Sequence, residues 1–389
     1  MPKNDTEDIV DIKNRKKRRK RLIKFLIFIL VIGLGTGLYF TRDKWYNKLR
    51  GIGEQYRTIV NSGTLAKGNF PIEVSSDNNY QLMKMGRRIV VLSGNDTLFF
   101  DTEGNLLKKR QHTYTNSVLC VSGERALIYA CGGNQLSVED ENEVCYTKEF
   151  DENILFARLS PEGYTGVVTT AENNKCEIHV YDKKGTIVYD RKCIDEYVND
   201  LSFTNESQGC VFSYIMAKNG QLVTNIKSVM FSDANELWTS GDIFTVGIEL
   251  DGFNGNAFIL GNDSCGYVDS NGNVGEFYQY DGEMKGGSCS GGKAAVIINN
   301  EDLRKYIAVL FSDVSTSPLT IELDEPTVDV MVSGGLAYVL TQEHMMAYDF
   351  DGGLRSTADV SDSYTGFVKN EEHIFLKSYK KIDRIDFES

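Results

Sequence analysis

Eight short apolar runs recur along this chain: "RIVVLS" (88–93), "ALIYAC" (126–131), "GVVTTA" (166–171), "CVFSYI" (210–215), "AFILGN" (257–262), "AAVIIN" (294–299), "LAYVLT" (336–341) and "HIFLKS" (373–378), starting 37 to 47 residues apart. A fixed period of this size marks a repeat architecture in which each unit is one supersecondary element. The runs are too short for buried helices and rich in β-branched and aromatic residues, so each reads as a buried strand. A second strand and tight turn precede most of them, as in "VLCVSGER" (118–125) and "VMVSGGLA" (330–337). A polar corner follows, then a third strand that ends in another recurring motif: "FFDTEGNLL" (99–107), "YDKKGTIVY" (181–189), "YVDSNGNVG" (267–275) and "FDGGLRS" (350–356). Its Asp can accept nearby backbone N–H groups and its Gly supplies positive φ, so it reads as a hairpin into a fourth strand.

Four strands per unit of about 40 residues is the pattern of a β-propeller blade. The expected fold is therefore all-β, an eight-bladed β-propeller, with seven blades as the alternative because "GGSCSGG" (286–292) makes a weak strand. Tandem β-sandwiches would not repeat at this period. A chain with 36 Gly, 5 Pro and 20 each of Phe and Tyr suits many strands and tight turns. The last unit lacks an outer strand, while "FPIEV" (70–74) is a strand without a unit; pairing the two would latch the ring and cover an open edge.

The first 50 residues follow different rules. "KNRKKRRKRLIK" (13–24) holds nine cations, and "FLIFILVIGLGTGLYF" (25–40) has no charge. Counted from Leu22, this stretch is near the roughly 20 residues that cross a bilayer as a helix. Lys24 can snorkel to the headgroups, and Tyr39, Phe40, Trp45 and Tyr46 suit the opposite interface. The excess of cations before the span orients the N-terminus to the cytoplasm. A cleaved signal fits less well, because the apolar run is long and no small-residue cleavage site follows it. The expected organisation is a basic cytoplasmic tail (1–21), a signal-anchor helix (22–40), a juxtamembrane linker with little strand character (41–69) and an extracytoplasmic propeller (70–389). Gly33 and Gly37 form a GxxxG spacing that can bring two such helices together.

Charge divides the same way. Residues 1–50 hold 14 basic and 5 acidic residues, the rest of the chain 28 and 50. An ectodomain this acidic does not hold nucleic acid by phosphate neutralisation. The layout of basic segment, span (13–40) and strand repeats (70–388) resembles a family of uncharacterised, membrane-anchored propeller proteins of clostridia-like Gram-positive bacteria, classed as a domain of unknown function. The resemblance implies a WD-repeat-like or quinoprotein-like propeller displayed outside the cell, and no particular activity.

The sequence offers no catalytic constellation. His112, His179, His344 and His373 fall in different units without ligand spacing, and "DSNGNVGE" (269–276) places its Gly wrongly for an EF-hand, so no metal is expected. Two Trp residues are too few for a quinone-cofactor propeller, and no cofactor is expected. None of the eight cysteines forms a CxxC; Cys176 and Cys193 flank one hairpin symmetrically and are the candidate disulfide, against the plainer reading of small buried residues. The corners after each second strand would share one face near the channel, which makes Asn95, Asp96, Asn134, Asn174, Asn262, Asp263, Asn300 and His344 the candidate ligand-binding residues, although turn chemistry alone also explains them. The function expected is a membrane-tethered module that binds an envelope protein or glycan. The alternatives are an enzyme on an envelope carbohydrate or polymer, and a sensor whose cytoplasmic tail has no room for an output domain.

Overall fold

A computed structural model describes residues 60–74, 80–204, 206–233, 235–361 and 363–387. The expected span (22–40) and most of the expected linker lie outside these residues. Every element described is a strand, and none of the described residues forms a helix able to cross a membrane.

Six four-stranded antiparallel sheets follow one another along the chain, over 81–111, 117–149, 154–193, 197–239, 247–279 and 283–323. In each, the strands pair in chain order. A nine-stranded sheet takes the remainder: two further runs, 327–359 and 364–387, joined through Asn61–Leu65, with Ile72–Glu73 alongside. First strands of successive runs touch, Ile154–Leu159 meeting Tyr197–Thr204 through Arg158 and Asp200, and Tyr364–Lys369 touches Gln81–Met85, so the series returns on itself.

The core explains why the second strands read as unbroken apolar runs. Each is sandwiched between neighbouring sheets and is buried on both faces, so alternation disappears. Met85, Val90, Leu92 and Phe99 pack on Leu119, Ala126 and Ile128 of the next sheet; Phe258 and Leu260 pack on Ala294, Val296 and Phe311. The cluster of Tyr80, Ile89 and Val91 with Phe70, Phe375 and Ile382 joins the first sheet to the last strands.

The recurring hairpin has one geometry. Asp182 Oδ1 accepts the N–H groups of Lys184 and Thr186 at 2.9 and 2.8 Å, and Gly185 takes φ +79. Asp101, Asp269 and Asp349 do the same three residues before Gly104, Gly272 and Gly352, at φ +82, +81 and +85.

The latch differs from the expectation in one respect. Ile72–Glu73 of "FPIEV" pairs with Lys381 and Ile382 as foreseen. Asn61–Leu65, read as linker, is also a strand: antiparallel to Lys381–Phe387 and parallel to Leu354–Asp359. "NSGTL" has no apolar rhythm because the strand is largely exposed. Gly63 is required there, since a Cβ would lie 2.8–2.9 Å from Ile385, Phe387 and Ala358.

Candidate functional site

First strands have an unpaired backbone edge, because no strand lies beyond them. Side chains of the preceding sheet satisfy it. Asp200 Oδ2 accepts Leu250 N–H at 2.9 Å and Ser202 Oγ accepts Gly252 N–H at 2.9 Å. The constant offset between these pairs shows that neighbouring first strands run parallel. Gln81 Oε1 accepts Leu119 N–H, Ser288 Oγ accepts Val332 N–H and Asp329 Oδ2 accepts Phe367 N–H, at 2.9, 3.0 and 3.1 Å.

A cavity of about 650 Å³ lies inside these strands, walled by Gln81, Met83, Cys120, Arg158, Asp200, Phe203, Glu249, Asp251 and Gly291 among others. Its charged groups are three carboxylates against one guanidinium. Asp200, 3% exposed, meets Arg158 at 2.8 Å and also accepts its neighbour Leu201 N–H at 2.8 Å. Burial raises the Asp200 carboxyl, and Arg158 and the two N–H groups oppose it. Arg158 stays 39% exposed to the cavity, its guanidinium over the Phe156 ring at 5.3 Å. Burial pushes Glu249 up to about 7, against hydrogen bonds from the thiol and N–H of Cys289. Asp251 is raised by burial too, although it accepts Gly292 N–H at 2.8 Å. Burial likewise raises the Cys120 and Cys289 thiols, which keeps them protonated and poor nucleophiles.

A second feature recurs around the same strands. Six first strands carry a β-bulge near their start, between Ile154 and Phe156, Val198 and Asp200, Gly247 and Glu249, Met284 and Gly286, Thr327 and Asp329, and Tyr364 and Gly366. Bulges re-aim side chains. Here the extra residue of three strands is an exposed aliphatic: Leu155 (41%), Ile248 (48%) and Val328 (36%). Tyr197 and Phe244, 55% and 67% exposed, lie at or just before the starts of two of these strands. Because the first strands run parallel, these residues belong to one face, and Glu249 follows Ile248 directly on the cavity wall.

The corner residues expected to bind ligand occupy that same face, since a second strand ends where its antiparallel first strand begins. Their polar groups mostly hold the segments that carry the chain between sheets. The Asn95 carbonyl accepts His112 N–H, and Asp96 pairs with Lys109 at 2.8 Å. Asn134 Nδ2 donates to Phe150 O at 2.8 Å. Asn262 Oδ1 accepts Val246 N–H at 2.9 Å, and the Asp263 carbonyl accepts Tyr280 N–H. Asn300 Nδ2 donates to Asp281 O at 2.9 Å, and His344 meets Glu325 at 2.6 Å. Asn174 bonds Glu177. None of the eight lines the cavity.

Cys176 and Cys193 are direct cross-strand partners, both buried, with their thiols in contact; all eight cysteines are free. Among the described residues, no group of three or more His, Cys, Asp or Glu is placed to hold a metal.

The fold is that of solved β-propellers. BamB from Moraxella catarrhalis matches with a TM-score of 0.54 at 12% identity, over 83% of this chain and 99% of that one. The C-terminal WD40 domain of Sif2 matches at 0.58 and 11%, over 84% and 99%. Chaetomium thermophilum Sqt1, bound to the N-terminus of ribosomal protein L10, matches at 0.55 and 10%, over 81% and 98%. At such identities these are likenesses of fold. No curated protein matches the chain. It matches DUF5711 over residues 67–387, and so belongs to this family of unknown function.

Proposed function

We propose that this chain is a binding module: an eight-bladed propeller, held at the outer face of the cytoplasmic membrane by residues 22–40, that engages an envelope protein through the face where its first strands begin. The nine-stranded sheet then counts as two blades sharing Asn61–Leu65, which gives the eight units of the sequence repeat. The observation that carries the reading is the repeated bulge, which turns Leu155, Ile248 and Val328 outward at equivalent places. Three of the six bulges present an exposed aliphatic and the other three Asn199, Lys285 and Thr365, and a mixed rim of this kind at one face suits a docking surface. A protein partner is favoured over a glycan by analogy with Sqt1, a propeller of the same fold that holds a protein N-terminus.

Protease added to intact cells tests the topology: digestion of the propeller with a protected N-terminal tag supports it, and protection of both overturns it. Crosslinking in cells, followed by purification and mass spectrometry, tests the binding. A partner lost on deletion of 70–389 but kept when another anchor replaces 1–50 supports the module.

One observation favours an enzyme as the second reading. Glu249, with its carboxyl near 7, has the proton affinity of a general acid–base at neutral pH. Against it, Asp200 and Asp251 are already bonded to backbone, and none of the four histidines faces the cavity.

A further inference from the structure

The cavity opens away from the docking face proposed above. Ser160, Pro161 and Gly291 belong to the turns that follow first strands, so the mouth lies where these strands finish, at the end opposite the bulges. A Cβ on Gly291 would meet nothing within 4 Å, as at an open rim. About 650 Å³ is the size of a small-molecule pocket. Half-buried Met83, Val118 and Phe203 give it an apolar wall. Its polar groups come from neighbouring sheets and keep hydrogen-bonding capacity to spare. Arg158 spends N–H groups on Asp200 and the Ala157 carbonyl and has others left. Glu249 and Asp251 alternate along one strand, so both point toward the next sheet, where Cys289 and the Gly292 N–H are their partners. Each carboxyl retains free lone pairs. Ser202 accepts Gly252 N–H and keeps its hydroxyl proton to donate.

The charges favour no ion. Asp200 cancels Arg158 at 2.8 Å, Arg158 also acts on Glu249, and burial raises Glu249 and Asp251 toward their neutral forms. A ligand cation would meet Arg158, and a ligand anion would meet the carboxylates. A neutral ligand that both donates and accepts meets neither penalty. We infer that the channel binds a neutral polyhydroxylated molecule, of the sugar or polyol class, entering past the turns at Ser160 and Gly291. Its hydroxyls donate to Glu249 and Asp251 and accept from Arg158, while its C–H surface lies on Phe203 and Met83. A hydroxyl does both at once, which matches a wall of N–H donors beside carboxyl acceptors. A partner docked at the opposite end leaves this mouth open, so the two sites fill independently.

The test is saturation-transfer NMR with titration calorimetry on the full-length protein, in a detergent without a sugar headgroup. Glucose, N-acetylglucosamine, maltose and myo-inositol are the neutral probes, glucuronate and glucosamine the charged ones. At least one neutral probe should bind saturably and more tightly than either charged probe. Glu249→Gln and Asp251→Asn keep the shape and an oxygen for the bonds from Cys289 and Gly292; each should weaken that probe by about tenfold. Glu322→Gln, an exposed carboxylate on the fourth strand of its sheet, should leave it unchanged. A thermal melt confirms that each variant folds. Failure of every neutral probe to bind, tighter binding of a charged probe, or channel variants that bind like the wild type would each overturn the inference. The docking reading rests on the other end of the first strands and is tested separately, by the crosslinking above.

Discussion

Asp200→Ala isolates what holds the channel wall together. The carboxylate is 3% exposed and does three things at once: it meets Arg158 at 2.8 Å, and it accepts the N–H of Leu201 and of Leu250 on the next sheet. Truncation strands two backbone donors, each costing about 1–3 kcal/mol when it remains unsatisfied. Breaking a buried ion pair costs about 3–5 kcal/mol in total, but Arg158 can regain water from the cavity, so about 3 kcal/mol is expected overall. Asp329 is an internal comparison. It also accepts two N–H groups, from Val330 and Phe367, without an arginine, so Asp329→Ala should cost nearer 2 kcal/mol. The difference between the two reflects the Arg158 contact against the Lys377 charge that acts on Asp329, and Arg158→Met in a double-mutant cycle with Asp200→Asn measures the Arg158 part directly. Urea unfolding followed by tryptophan fluorescence and circular dichroism reads each value. A loss below about 1 kcal/mol for Asp200→Ala would refute the stitching of neighbouring first strands by side-chain acceptors.

Other outcomes follow from the same structure. Burial raises Glu249 from 4.5 to about 7, so the folded chain keeps a proton that the unfolded chain releases; stability should fall by about 1–3 kcal/mol as pH rises through that window, and Glu249→Gln should flatten the fall in urea titrations at stepped pH. Gly272→Ala and Gly220→Ala both force positive φ on alanine, but only at Gly272 does the new Cβ meet backbone, 2.6 Å from Thr239 O; the first should lower the melting temperature clearly more than the second. Removing residues up to 66 uncovers the edges of Lys381–Phe387 and Leu354–Asp359, and should produce a less stable, self-associating protein on size exclusion. Cys176 and Cys193 sit in register at a separation typical of directly opposed strands, close to disulfide geometry; oxidation by a small-molecule disulfide should remove two alkylatable thiols and give a 176–193 crosslinked peptide, which Cys193→Ser abolishes.

The parts of the fold legible in the sequence were those with a strong local cause. Second strands showed as apolar runs because both of their faces are buried, and hairpins showed because Asp182 and Gly185, with their counterparts, close the same turn repeatedly. Asn61–Leu65 was silent because an exposed strand held by backbone pairing needs no apolar rhythm. The candidate corner residues fall in or beside the connections between second and third strands, but composition does not distinguish an Asn that waits for a ligand from one, like Asn134 or Asn300, bonded to the chain between sheets. Three acids of the first strands leave a trace in the sequence. "NDL" (199–201), "IEL" (248–250) and "VDV" (328–330) each set an acid directly before a buried aliphatic in a first strand. An acid at that place in a strand buried on two sides has to face a neighbour's backbone or the channel.

The most direct measurement of the central claim is site-specific photocrosslinking in living cells, with the photoreactive residue at Ile248 in one strain and at Leu106 in another. The account predicts one reproducible protein adduct from position 248, absent from 106. Equal labelling from both positions, or adducts from 106 alone, would contradict it.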